Sequence, residues 1–373
     1  MTAHNTPSEA MDFLLSVLRA EQPVWPGNPP AGFASSVEKL IYLHGLNGLV
    51  YRQYEGNPAW KQWPDDLRNK VKRTAVIGSA HQLYIKKEIH FLLSSLAKEK
   101  IPVLLLKGAA LAFTQYPHPE MRSMGDIDML FRRQDLARAL EVIESCGYHF
   151  IYRQGFLGQE FSYNKNDVAY ALPLDLHWRL SSYVVLAHVL DFDEMWQAAG
   201  TFPGEAEIPC ILSPEHALLH ACVHLAKHQA LEDTTRLLWL FDIHLLCEQL
   251  GTQESQEFID LCIDKKLTQV ILDVLLQLST RLPGKRLDNL IKQLSGISQK
   301  EPSSRLLYNN FRSFLLKDIF ALQSGRAVFR SLQDIFFPPA AYMLKLYQRK
   351  NKLWLPWLYT HRLLSGLRKY LFH

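Results

Sequence analysis

Asp126 and Asp128 stand two residues apart in the run Gly125-Asp126-Ile127-Asp128-Met129-Leu130. On a strand, that spacing sends both carboxylates to one face and Ile127 and Met129 to the other. Two carboxylates so close repel each other unless a cation lies between them. Hard oxygen donors of this kind suit Mg2+, which takes one or two carboxylates and completes its shell with water and phosphate oxygens; Mn2+ is the alternative. Asp175, in Leu174-Asp175-Leu176-His177-Trp178, can bring a third carboxylate to the same edge. Three such groups can hold two metals about 3.5–4 Å apart, which activates an attacking oxygen and neutralises a phosphoryl transition state. Lys107-Gly108 directly follows the apolar run Val103–Leu106. The glycine lets backbone approach phosphates, and the lysine supplies a point charge for them.

Each feature has a plainer reading. An isolated Asp-x-Asp is often a solvated strand end, and Lys107-Gly108 could be no more than a helix-start turn. Their arrival in one order is what points to phosphoryl chemistry. Arg122 precedes the Asp pair and could clamp a triphosphate in bidentate fashion, or tether its loop to an acid. His177 alternates with Asp175, so it should line the same cleft and orient Asp175 or an acceptor. His216, His220, His224 and His228 recur every four residues on one predicted helix. Without a HExxH pattern, the spacing predicts a partly buried stripe and no zinc site. Arg236 and Asp242 lie six apart and are not a direct helical pair.

These groups need a scaffold. Apolar spacing predicts helices over 9–20, 36–54 and about 67–98, with a turn-rich stretch at Gln22–Phe33. Val103–Leu106 and Ile127–Phe131 read as strands, and Gln134–Cys146 as a helix stopped by Gly147. Further strands are expected near Tyr148–Arg153, Gln159–Asn164 and Val168–Trp178, and helical periodicity returns from Ser182 to Asp334. The predicted organisation is an N-terminal helical region (1–98), a compact core (99–181), a helical domain (182–334) and a basic, aromatic C-terminal segment (335–373). The fold class is α+β.

The ordered set resembles the uncharacterised bacterial nucleotidyltransferase family of the DNA polymerase β-like superfamily. The set comprises the strand ending in Lys107-Gly108, Arg122, Gly125–Leu130 and Asp175-Leu176-His177-Trp178. The resemblance is closest over about 100–180 and extends to about 250 through Leu219–His228 and Arg236–Asp242, with Trp354–Arg362 also similar. It implies a polymerase β-like core, a small mixed sheet with helices, embedded in mostly helical regions. It further implies Mg2+-dependent transfer of an NMP from an NTP to an unidentified acceptor, with release of pyrophosphate. Asp126, Asp128 and Asp175 become the catalytic carboxylates and metal ligands. Lys107, Gly108, Arg122 and Ser123 become the nucleotide-binding set, and His177 supports the acceptor side. Two departures stand out. Ala109 replaces the serine expected after the glycine, and the interval from Gly108 to Asp126 is long, with Pro117 and Pro119 in it. They keep open a catalytically silent nucleotide-binding or regulatory module on the same fold.

Composition narrows the class. The 373 residues are 48% hydrophobic and 21% charged, which excludes a disordered tail protein or a collagen-like chain. Cys146, Cys210, Cys222, Cys247 and Cys262 are odd in number and contain no CxxC pair, so they read as buried reduced thiols. The longest uncharged apolar stretches, such as Ile101–Leu106, are too short to suggest a membrane span, and the N-terminus looks like no secretory signal, which gives the expectation of a cytoplasmic protein. Net charge is +4, yet no acid follows Asp334 while seven lysines and arginines do. That basic tail should pack back on a slightly acidic body, with weak membrane-surface contact as the lesser alternative. The acceptor itself, whether small molecule, peptide, protein or RNA, is not encoded in these patterns.

Overall fold

A computed structural model describes residues 6–154, 160–166, 171–180, 189–204, 208–232, 235–297, 301, 325, 329, 337–338, 340–349 and 351–371. The chain opens with helices α1 (Thr6–Leu18), α2 (Phe33–His44), α3 (Asn47–Tyr54) and the long α4 (Asp65–Lys98). Asp65 and Asp66 in the first turn of α4 complement its dipole. The single helix expected over 36–54 is two helices, because Gly45 takes a left-handed conformation between them.

The sheet begins with β1 (Val103–Leu106), followed at once by α5 (Lys107–Thr114), β2 (Ile127–Phe131) and α6 (Leu136–Ser145). Strands β3 (His149–Gln154), β4 (Glu160–Asn166) and β5 (Ala171–His177) come next. The short α7 (Phe192–Gln197) leads into β6 (Gly200–Thr201) and β7 (Pro209–Ile211). The seven strands run in the order β3-β4-β5-β2-β1-β7-β6. β2–β5 and β1–β7 are parallel pairs and the others antiparallel. β6 and β7 lie in a stretch that periodicity predicts as helical; strands of two and three residues are too short to display a period of two. The expected strand starts at Gln159 and Val168 lie outside the described residues, as does most of 302–336.

Both sheet faces are covered. Ile127, Met129, Phe131, Val103 and Leu105 face Ile85, Ile89 and Leu92 of α4 and Ile143 of α6. Leu104, Leu106 and Leu130 face the opposite way, into a larger core shared by both helical parts of the chain. The C-terminal helices contributing to it are α8 (Pro214–Glu232), α9 (Leu237–Gln249), α10 (Thr252–Asp264), α11 (Thr268–Ser279) and α12 (Lys285–Ile297). Burial on both faces explains why β1 and β2 read as continuous apolar runs and not as alternating ones.

Near the C-terminus lie α13 (Ala340–Leu346) and α14 (Leu355–Leu371). The tail expected to pack on the body does so only in part. Met343 and Leu358 are fully buried, while Trp354 and Trp357 remain 42% and 51% exposed. Among the described residues, no helix is long and apolar enough to cross a membrane. All five cysteines are buried, and none is in a disulfide.

Candidate functional site

β2 and β5 set the carboxylates. Asp128 pairs in register with Asp175, and Leu130 with His177. Asp128, Leu130, Asp175 and His177 therefore share the sheet face opposite α4 and α6, on the side of the larger core. Asp126 sits immediately before β2 and not on it, which corrects the expectation that both carboxylates of the pair lie on one strand.

Lys107 occupies the junction where β1 turns into α5, with φ +49°. A lysine in this left-handed region is held there by its surroundings. The turn delivers its Nζ to Asp128 Oδ1 at 2.6 Å. His177 Nε2 meets the same oxygen at 2.9 Å. The Asp128 side chain is 5% exposed. Burial pushes its carboxyl up, but the Lys107 charge and the His177 hydrogen bond outweigh burial and hold it well below the usual carboxylate range. Asp126 moves the other way: the charge of Asp128, then burial, raise it, with Lys107 and Arg122 opposing. Two neighbouring carboxylates displaced in opposite directions form one coupled unit with an unbalanced repulsion.

The remaining expected residues play parts that spacing did not reveal. Arg122 is buried, and its Nη2 and Nε donate to Asp242 at 2.8 and 3.3 Å. Tyr116 Oη donates to the same carboxylate at 2.7 Å. Burial alone would favour loss of the guanidinium's proton, yet Asp242 keeps Arg122 firmly charged. The tether reading of Arg122 is thus the one the geometry displays. Ser123 Oγ donates to the Gly45 carbonyl at 2.7 Å, and Gln82 Nε2 to the Arg122 carbonyl at 2.9 Å. Gly48 lets α3 come against the same loop, since a Cβ there would collide with the Glu120 carbonyl. Asp175 accepts from Ser162 Oγ at 2.7 Å and is not among the residues lining the cleft.

Gly108 has a structural reason as well. A Cβ there would stand well inside contact distance of an Arg122 guanidinium nitrogen and at 3.0 Å from Met124 Cβ. Because Arg122 is anchored by Asp242, it cannot retreat. Gly108→Ala is expected to cost about 2 kcal/mol of stability, as overpacking does, and to distort the cleft; a urea midpoint measured beside wild type tests it.

The cleft holds about 270 Å3 and is lined by Lys107, Gly108, Asp126 and Asp128 together with His224, Arg236 and Trp239. A more apolar cavity of about 210 Å3 adjoins it, sharing Lys107, Arg122, His224 and Trp239. Spacing alone missed His224 and Trp239 as cleft walls. The His ladder was visible, but only the fold brings Trp239 of α9 to 5.0 Å from the His224 ring. Lys107 and Arg236, in one cleft with the carboxylates of Asp126 and Asp128, suit a phosphate chain and a divalent cation.

The buried histidines carry a pH signature. Burial, reinforced by the Lys107 charge, takes His220 down to about 3, and burial holds His224 well below its ordinary value. The unfolded chain therefore binds protons that the native state refuses. Their stabilising share is complete above about pH 6.5 and is lost as pH falls from there toward the native values. The loss runs at about 1.4 kcal/mol per pH unit for each histidine. Urea midpoints at about pH 7 and about pH 5 should differ accordingly, and the difference should shrink in His220→Asn.

A family model described as an uncharacterised nucleotidyltransferase matches residues 35–283. The solution structure of the antibiotic-resistance factor ANT(2'')-Ia is similar at 17% identity, covering 48% of this chain and 90% of that one, with a TM-score of 0.34. The crystal structure of ANT(2'')-Ia with adenylyl-2''-tobramycin is similar at 16% identity, covering 48% and 95%, with a TM-score of 0.34. No curated protein matches the chain.

Proposed function

The chain belongs to this uncharacterised nucleotidyltransferase family and is a transferase; from that premise we propose that it moves an NMP from an NTP onto an acceptor hydroxyl in a Mg2+-dependent reaction. The observation that carries the reading is the cleft lined together by Lys107, Asp126, Asp128 and Arg236, with Lys107 on Asp128.

The residues fit Mg2+. Asp126 and Asp128 are hard oxygen donors whose mutual repulsion raises Asp126, a repulsion that a divalent cation would offset. Among the described residues, no three His, Cys, Asp or Glu side chains converge on one point. The pair therefore suits an ion that keeps waters and takes phosphate oxygens, as Mg2+ does. When bound, Mg2+ supplies charge neutralisation for the phosphate chain.

In this reading Lys107 and Arg236 hold the triphosphate, and the backbone at Gly108 lies against it. His177 fixes the orientation of Asp128, while Arg122 and Ser123 fix the loop that presents Asp126. The acceptor oxygen attacks the α-phosphorus, the bond to the bridging oxygen breaks, and pyrophosphate leaves with the electron pair. The acceptor proton passes to Asp175, which stands beside Asp128 on the same sheet face but outside the lining of the triphosphate cleft, so that the acceptor approaches from the β5 side. Catalysis is mainly positioning and electrostatics.

A nucleotide-binding module without turnover is the second reading, favoured by Ala109 and by the two contacts that already occupy Asp128 Oδ1. Thermal shifts with ATP, GTP, CTP and UTP, with and without Mg2+, followed by an α-labelled NTP transfer assay, separate the two. A ligand at one hundred times its Kd adds about 2.7 kcal/mol of stability. A Mg2+-dependent shift with labelled product supports transfer. A shift without product or pyrophosphate supports the silent module, and no shift with any nucleotide overturns both.

A further inference from the structure

The residues just past the ends of β2 and β5 enclose a second concavity of about 640 Å3. Arg132, Arg133, Trp178 and Arg179 line it, with Leu130 and Met195 among its apolar members. The guanidinium carbons of Arg133 and Arg179 lie 4.7 and 4.3 Å from the Trp178 ring centroid. Such stacking holds a cation in place without cancelling its charge. Neither acid of this wall touches these two arginines: Asp193 pairs with Arg132, and Asp191 accepts the Asp193 backbone N–H at 2.8 Å. Among the described residues, no carboxylate pairs with Arg133 or Arg179. Burial and the neighbouring charge of Arg133 both weaken the hold of Arg179 on its proton. Two like charges thus share one ring, in a pocket lined by three arginines and two aspartates, which leaves it an excess of positive charge.

We propose that this pocket binds an anionic group, phosphate or carboxylate, carried by the acceptor. A guanidinium fork matches either group in bidentate geometry. Position supports the assignment to the acceptor. Leu130 lines the pocket and lies two residues beyond Asp128 on the same strand face, about 7 Å along the strand. Arg133 stands five residues beyond Asp128 and Arg179 four beyond Asp175, up to about 17 and 14 Å of chain. A narrow opening lined by Leu180, Leu190 and His224 shares residues with both the pocket and the cleft. An elongated acceptor anchored at the two arginines can therefore extend a hydroxyl toward Asp128 and Asp175. The same charges make the pocket hostile to a polycation. This inference rests on the transfer reading above.

Calorimetric titration of the full chain with inorganic phosphate, and separately with succinate, tests it. The variants are Arg133→Gln with Arg179→Gln together, and Lys107→Gln for the cleft. Arg133 is exposed and Arg179 half-buried, so neither change removes core packing; melting curves of the variants check this. Wild type should bind phosphate at two places. The double variant should weaken one of them by about tenfold or more and leave the Mg2+–ATP thermal shift intact, whereas Lys107→Gln should weaken the other. Whichever of phosphate and succinate binds more tightly identifies the acceptor's group. Unchanged anion binding in the double variant, or no binding of either probe to wild type, overturns the proposal. Loss of anion binding in the double variant, with neither nucleotide binding nor pyrophosphate release in wild type, overturns the acceptor assignment and the transfer reading while leaving an anion site.

Discussion

Asp128→Asn is expected to slow nucleotidyl transfer by about a thousandfold or more, near 4 kcal/mol at 1.36 kcal/mol per decade. Three losses combine in that figure. The cleft loses the charge that would bind the divalent cation, Lys107 loses its ionic partner, and His177 faces a neutral amide. Stability should change far less. Asparagine keeps an oxygen for the Lys107 and His177 contacts, and the Lys107 side chain is 30% exposed, so water can solvate its ammonium. Asp126→Asn provides the sharper comparison. Because the charge of Asp128 raises Asp126, removing the Asp126 charge relieves a strain of the metal-free protein. That variant should lose transfer and gain a few degrees in melting midpoint. Single-turnover pyrophosphate release and a melting curve on both variants check the pair. A fully active Asp128→Asn protein, or an Asp126→Asn protein that melts well below wild type, would contradict the assigned electrostatics.

Asp242→Ala is expected to be the most destabilising single change near the cleft, at about 3–5 kcal/mol, the usual cost of orphaning a buried charge. The Arg122 and Asp242 side chains are 8% and 5% exposed, so the guanidinium left behind could neither reach water nor shed its proton. Tyr116→Phe removes only a neutral donor to the same carboxylate and should cost about 1 kcal/mol. Arg122→Met combined with Asp242→Leu removes both charges at once. It should recover much of the lost stability without recovering activity, because the loop then lacks its anchor. Guanidinium midpoints of the three variants against wild type decide it; equal losses for the Asp242 and Tyr116 variants would refute the pairing.

The sequence carried some of this design openly. Val103–Leu106 and Ile127–Phe131 stand out because burial on both faces leaves no polar alternation, and α4 because its apolar stripe persists for nine turns' worth of chain. The ordering of Lys107-Gly108 before Asp126 and Asp128 was also readable. Other features were hidden for definite reasons. The partner of Arg122 lies 120 residues away, beyond any local pattern. The demand on Gly108 comes from that guanidinium, which no glycine motif announces. The Asp175–Ser162 contact depends on the register of β4 against β5, and register is not written in either strand alone. Trp239 became a cleft wall only when α9 packed against α8.

The loop from Gln115 to Gly125 is pinned from three directions: by Gly45 near the start of the chain, by Gln82 on α4, and by Asp242 on α9. During synthesis the first two anchors leave the ribosome before the loop, but the third follows by more than a hundred residues. Until then Arg122 lacks its carboxylate partner, and the segment presenting Asp126 lacks its final restraint. A nascent or prematurely ended chain thus carries every residue of the carboxylate motif without the contact that completes their alignment, so on the transfer reading proposed above the site is assembled only after the helical half has been made and docked.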